Sequence, residues 1–273
     1  MKDLLERDIH FAFNVWDFNS AKYIMDAAAG IKKDVILQTS SGVFRNLPQK
    51  EFRAFVSSYS ESLGINVWLN LDHCKDEELL IQAIDSKWDA VMADASFLSL
   101  KDNISFTNKI TDMAHSKGIM VEAEIGQVVG VEDDICVKKE DIASCEDIKC
   151  FLEETDVDLI AVAFGNAHGA YKVPPVLDFG LVEYTTSITE VPFVVHGGSG
   201  LPKEDIKRLI SIKGVKKINI STEVKQAYRQ AISHALEDGV FELDGFQPVN
   251  VDRYMSEEFN LLVHEKYSLI GDI

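Results

Sequence analysis

Three histidines stand at or just past the ends of strand-like runs: His73 closes "INVWLNLDH", His168 lies in "GNAHGAYK", and His196 follows "VPFVV". Three neutral imidazoles that converge and leave one position open make a divalent site of catalytic type, for Zn2+ or a similar ion. A lone buried histidine is ordinarily a hydrogen-bonded core residue, but three on successive strand ends reverse that reading. The other four (His10, His115, His234 and His264) fall at a strand start or in helical stretches. Carboxylates accompany the three: Asp72 beside His73, Asp94 in "DAVMADAS", and Glu122 and Glu124 in "VEAEIG". Asp94 and Glu124 could offer oxygen ligands or orient the imidazoles from behind. Cys74, next to His73, reads as a packing residue.

After His196 comes Gly197-Gly198-Ser199-Gly200. Small residues free backbone N–H groups to close on an anion, and Ser199 adds a hydroxyl. "NIST" (219–222) opens a helix whose first N–H groups also favour negative charge. Lys172, four residues past His168, would neutralise the same anion. Metal, phosphate cradle and free carboxylates together point to a sugar-phosphate enzyme that stabilises an enediolate.

These residues need strands to deliver them. Eight β-rich runs are present, at 9–15, 34–40, 65–73, 89–96, 119–126, 158–165, 191–198 and 215–221. Each is followed by a plausible helix, including Ala21–Ala29, Gln49–Leu63 and Asp76–Ser86. Ile206, Leu209 and Ile210 form one apolar helical face, and Val224, Ala227, Tyr228 and Ala231 another. The pattern predicts an α/β chain, one (β/α)8 TIM barrel over residues 1–273 with a C-terminal helical extension. A doubly wound open sheet is the alternative. In such a barrel the strand ends meet at one face, where the active site sits. Gly126–Ser144 reads as a long irregular loop of functional length.

The chain has 273 residues, 46% of them hydrophobic, enough for one barrel. Lys plus Arg number 27 against 45 Asp plus Glu, a formal charge of -18. That balance argues against nucleic acid or an acidic membrane as partner and leaves a small anionic substrate open. Four cysteines without a C-x-x-C pair suit a reducing cytosol. With no apolar leader and no bilayer-length run, the expected location is the cytoplasm.

The segments "LDHC" (71–74), "VEAEIGQVVGVEDD" (121–134), "VAFGNAHGAYK" (162–172), "VVHGGSGLP" (194–202) and "INISTE" (218–223) occur in one order along the chain. Together they resemble the metal-dependent class II ketose-bisphosphate aldolases, which include fructose- and tagatose-bisphosphate aldolases. The resemblance implies a TIM-barrel homodimer or homotetramer that splits a sugar phosphate into dihydroxyacetone phosphate and an aldehyde. It implies His73, His168 and His196 as zinc ligands, with Asp94 and Glu124 at a second or displaced metal position. Asp72 is implied as the acid/base at the C4 hydroxyl, and Glu132 as the group that moves the C3 proton. Asn14, Gly169, Lys172, Gly197, Gly198, Ser199, Asn219, Ile220, Ser221 and Thr222 are implied as substrate and phosphate contacts, with a monovalent cation (Na+ or K+) assisting in some members.

Several residues depart from the family pattern. Asn166 replaces a common threonine, Ala95 a common glycine, and Ser221 an aspartate found in fructose-specific members. "EVK" (223–225) lacks their arginine. The last two departures touch the aldehyde half, so the sugar is left open. A Schiff-base aldolase using Lys217 is a rival, disfavoured because no acid at a matching strand end is seen to pair with that lysine. A non-catalytic accessory subunit is another, disfavoured because the ligands and acid/base are all present.

Overall fold

The computed structural model describes residue 5 and residues 8–132, 135–137, 142–169, 175–242, 244 and 246–271. The eight β-rich runs each become one barrel strand: β1 (His10–Asn14), β2 (Val35–Ser40), β3 (Val67–Cys74), β4 (Ala90–Ala93), β5 (Met120–Ile125), β8 (Leu159–Val162), β10 (Phe193–Val195) and β11 (Val215–Ile220). They close in the order β1-β11-β10-β8-β5-β4-β3-β2 with every pairing parallel. The chain is a (β/α)8 barrel, and closure excludes the open doubly wound sheet. Both faces of each strand are covered, which is why the runs are nearly continuous in Val, Ile, Leu and Ala.

Helices fill the connections: α1 (Phe18–Gly30), α2 (Ser41–Asn46), α3 (Gln49–Leu63), α4 (Glu77–Asp85), α5 (Leu100–His115), α6 (Cys145–Glu154), α7 (Phe179–Ile188), α8 (Lys203–Ser211), α9 (Thr222–Glu237) and α10 (Val249–Ser268). Their starts follow from local chemistry. Asp17 and Ser20 form a reciprocal capping box on α1, Asp76 accepts from the amides of Glu78 and Leu79, and Ser99 accepts from Asp102. The C-terminal extension α10 lies along α1 and α9, tied by Tyr23 Oη donating to Asp252 at 2.7 Å.

Two expectations change. Part of the stretch expected to be irregular is an antiparallel hairpin, β6 (Val129–Glu132) with β7 (Ile135–Val137), and β6 also pairs in parallel with β9 (Ala167–His168). Gly130 permits this: a Cβ there would fall 2.1 Å from the His168 carbonyl oxygen. The hairpin is therefore stitched to a predicted ligand, a long-range pairing that local composition does not reveal. Tyr228, expected on a buried stripe, is half exposed and meets Trp16 edge-on. Val224, Ala227 and Ala231 are buried as expected.

Candidate active site and metal centre

Asp72 and His73 are neighbours in sequence, yet both reach into the barrel mouth. Regular alternation would send one of them outward. Between Leu71 and Cys74 strand β3 carries one residue more than β4 does, and His73 has φ of 46°. This bulge and left-handed residue re-aim the imidazole, a cost of order 1–3 kcal/mol that the surrounding packing must offset. Cys74 stays behind the sheet, its Sγ donating to the Asp76 carbonyl.

One ring nitrogen from each of His73, His168 and His196 lies within 4.8 Å of the other two, and the three residues are buried. Each of two imidazoles is oriented from behind. His73 Nδ1 sits 3.1 Å from Asp94 Oδ2, leaving its buried Nε2 without a hydrogen-bond partner. His196 Nε2 sits 2.9 Å from Glu122 Oε1. His196 Nδ1 lies 3.1 Å from Glu124 Oε2, in ion-pair range but aligned for no hydrogen bond. Buried polar atoms of this kind normally find partners. Two unpartnered imidazole nitrogens, one on His73 and one on His196, in a cluster that His168 completes, fit a divalent cation.

The charges agree with that reading. Burial alone would lower the pKa of His73, but Asp72, Asp94 and Glu124 outweigh it and raise it to about 10. Burial and the His73 charge oppose protonation of His196, and Glu122 and Glu124 still raise its pKa to about 9. Against burial, His73 holds Asp94 well below the carboxylate range, while Lys217 and His196 bring Glu122 down to about 2. A pocket that attracts protons this strongly is one that a cation can fill instead.

Asp94 is committed in this arrangement, Oδ2 to His73 and Oδ1 to the Ser96 hydroxyl at 2.7 Å. Its geometry is that of an orienting group, and among the described residues neither Asp94 nor Glu124 belongs to a group of potential ligands within 4.8 Å of one another. The second such group is Asp72, Glu122 and His196.

Asp72 is gripped by three amides. Asn14 Nδ2 donates to Oδ2 at 3.2 Å, Gln38 Nε2 to the same oxygen at 2.9 Å, and Asn219 Nδ2 to Oδ1 at 3.3 Å. Gln38 also donates to Asn14 Oδ1 at 2.8 Å, which locks the amides together. The carboxylate is 2% exposed, fixed in position next to the three-histidine pocket.

The glycine turn approaches β11 closely. A Cβ on Gly198 would lie 2.6 Å from Ile218 Cγ2 and 2.8 Å from the Asn219 carbonyl oxygen, so only glycine fits. Ser199 Oγ accepts from the amides of Ser221 and Glu223 at 3.1 and 3.4 Å, so the hydroxyl caps α9. Ser221 Oγ and Asn219 Oδ1 are buried without hydrogen-bond partners. Glu223 reaches Lys266 of α10 at 2.6 Å, tying the C-terminal helix to this edge of the mouth.

Comparison with known proteins agrees with this geometry. The family model "Fructose-bisphosphate aldolase class-II" matches residues 9–273. The chain belongs to the class II fructose-bisphosphate aldolase family. It is thereby an aldehyde-lyase. A sulfofructosephosphate aldolase from Alkalicoccus urumqiensis is 34% identical over 229 residues, 83% of this chain and 79% of that one. The YdjI aldolase from Escherichia coli K12 superposes with TM-score 0.81 at 28% identity, covering 98% of this chain and 93% of that one. A fructose-bisphosphate aldolase from Campylobacter jejuni shares the fold, with TM-score 0.80 at 22% identity over 99% and 93% of the two chains.

For a class II aldolase barrel, several supporting residues escape a reading of strand ends. Gln38 lies inside strand β2, and Asn14, expected as a substrate contact, ends β1 and turns its amide onto Asp72; both roles need the barrel closed. Asn166 accepts from the Phe164 amide and donates to the His196 carbonyl, both at 2.9 Å, bracing the ligand's backbone. Lys217 corrects an expectation outright: an acid does pair with it, since Nζ donates to Glu122 Oε2 at 2.6 Å with both side chains fully buried. An ion-paired ammonium is the opposite of the free amine a Schiff base needs, so the rival reading stays disfavoured for a different reason. Gly169 follows β9 with φ of 88°. Lys172 and the side chain of Glu132 lie outside the described residues. Among the described residues, no helix is long and apolar enough to cross a membrane.

Proposed function

We propose that this chain is a Zn2+-dependent aldolase that reversibly cleaves a ketose phosphate or bisphosphate to dihydroxyacetone phosphate and an aldehyde such as glyceraldehyde 3-phosphate. The observation that carries the reading is the three-imidazole pocket set beside a carboxylate, Asp72, that three amides hold still. A cation held by His73, His168 and His196 would supply Lewis-acid polarisation of the ketose carbonyl; a second divalent position at Asp94 and Glu124 would require Asp94 to leave His73 and Ser96. Asp72 takes the C4 hydroxyl proton in cleavage and returns it in condensation, a role worth ~10²–10⁴-fold. Glu132, at the end of the hairpin stitched to His168, exchanges the C3 proton of the triose. Gly169, Lys172, Gly197, Gly198, Ser199 and the run Asn219 to Thr222 hold the phosphate and triose, with Na+ or K+ assisting. Asn219 Oδ1 and Ser221 Oγ have the spare capacity to bond substrate hydroxyls. The protein works as a single-domain homodimer or homotetramer in the cytoplasm, with no nucleic-acid or membrane partner.

The relative that acts on sulfofructose phosphate favours a second reading of the aldehyde half, in which the distal group is a sulfonate. The machinery is the same in both. The deciding experiment is condensation of dihydroxyacetone phosphate with glyceraldehyde, glyceraldehyde 3-phosphate and the matching sulfonate aldehyde. A chelator should stop the reaction with every accepted aldehyde, and Zn2+, Co2+ or Mn2+ should restore it. Borohydride trapping of substrate on a lysine would overturn the class II assignment.

A further inference from the structure

The barrel interior contains a charged pair that the reaction does not touch. Glu122 projects from β5 and Lys217 from β11, strands separated in the barrel by β8 and β10, and the two side chains meet across the interior fully buried. One Glu122 oxygen takes Lys217 Nζ at 2.6 Å, and the other takes His196 Nε2 at 2.9 Å. We infer that Lys217 and Glu122 are positioning residues that fix His196 in the Nε2–H tautomer, so that Nδ1 is the nitrogen presented to the cation. The inference rests on reading the three histidines as a metal centre.

The chemistry is direct. An ionised carboxylate only accepts, so the nitrogen that faces Glu122 must carry the hydrogen, and in a neutral ring the other nitrogen then holds the lone pair. Carboxylate partners behind ligating histidines set ring orientation and basicity in this way, and losing one typically lowers metal affinity ~10–100-fold. What is particular here is the counter-charge. Asp94, behind His73, is steadied by the Ser96 hydroxyl near the mouth, whereas Glu122 is sealed inside and has Lys217 as its cation. The lysine lets the carboxylate stay charged while His196 donates only one hydrogen bond. It also holds the Glu122 side chain, because both oxygens are engaged.

The test starts with the unaltered protein. Long-range 15N–1H spectra of the histidine rings, taken with Zn2+ bound, should show His196 protonated at Nε2, assigned by comparison with His196→Gln. A protonated Nδ1 on a metal-loaded protein overturns the inference and leaves the aldolase reading standing. A wild-type protein that binds no Zn2+ overturns the metal reading and this inference with it. For the pair itself, Lys217→Met alone strands a buried carboxylate and risks misfolding, so the informative variant is Glu122→Gln with Lys217→Met, which removes both charges at near-constant volume. That double variant should keep its far-UV spectrum, bind Zn2+ ~10–100-fold more weakly in competition with a chromophoric chelator, and lose the defined tautomer at His196. Wild-type affinity and tautomer in the folded double variant would make the pair merely structural and overturn the inference.

Discussion

The two ends of the barrel use the same strands for opposite purposes. At the floor, Leu5, Ala12, Ile36, Ala90, Met120, Leu159, Ala161 and Val194 form an apolar plug with Trp68 against it. At the mouth, the same strands or the turns after them present Asn14, Asp72, Asp94, Glu124, His196 and Asn219. Histidine shows the contrast best. His10 sits at the floor, and burial lowers its pKa from the ordinary 6.5. His73 and His196 are buried at least as deeply, yet their pKa values rise to about 10 and about 9 because carboxylates surround them. Burial by itself expels charge; burial among paired charges concentrates it. The floor keeps the barrel closed, while the mouth is held away from its own best packing for the sake of chemistry.

The largest effect should come from removing the proton carrier at the mouth. Asp72→Ala should lower cleavage by ~10²–10⁴-fold while zinc content stays at the wild-type level, with some loss of thermal stability from the amides it leaves unpaired. Steady-state kinetics with metal analysis checks this; loss of metal in that variant would make Asp72 a ligand and redraw the site. At the floor the signs reverse. Leu159→Ala should cost about 2–5 kcal/mol of stability in urea unfolding, with kcat per folded molecule unchanged.

A pH experiment sharpens the contrast between the histidines. In the metal-free protein the raised pKa values of His73 and His196 contribute stability that is complete below about 6.5 and is lost as pH rises through about 9 and 10. His10 works in the other direction: its lowered pKa contributes stability present above 6.5 and lost on acidification. Melting temperature should therefore fall between about pH 7 and 10 without metal and change much less with Zn2+ bound. Zn2+ affinity should rise over the same window as the ligands shed protons. A flat metal-free profile would show that the mouth does not hold its protons. The smallest effect concerns the sugar. With Ser221 in place, discrimination between C4 epimers should be relaxed and turnover of fructose 1,6-bisphosphate poor. Ser221→Asp should improve that discrimination roughly 10–100-fold, since a hydrogen bond to a charged group is worth about 1.5–3 kcal/mol. Unchanged epimer ratios would place the selecting contact elsewhere.

Much of this molecule was legible before any tertiary structure. Eight β-rich runs gave eight strands because apolar periodicity is a local property, and the ends of β3, β10 and β11 marked Asp72, His73, His196 and Asn219 because barrel strands all point their C-terminal ends at one face. Gly197 and Gly198 were visible because the turn excludes side chains: Gly197 has φ of 63°, and Gly198 passes within van der Waals contact of β11. Of the supports, Asp94 was legible as a carboxylate behind an imidazole, and most of the others were not. Gln38, Glu122 and Lys217 sit inside strands, where a polar residue reads equally as an edge, a bulge or an ion pair. The partner of Lys217 lies 95 residues away in sequence, and only closure of the barrel brings them together. The bulge that turns His73 inward, and the hairpin pinned to His168, depend on register between strands, which is a property of two segments at once. The sequence by itself determined which chemical groups the chain owns and which end of the sheet receives them. Tertiary structure alone decided which nitrogen of His73 and of His196 is held, because contacts across the barrel, to Asp94 and Glu122, rather than neighbours along the chain, take it.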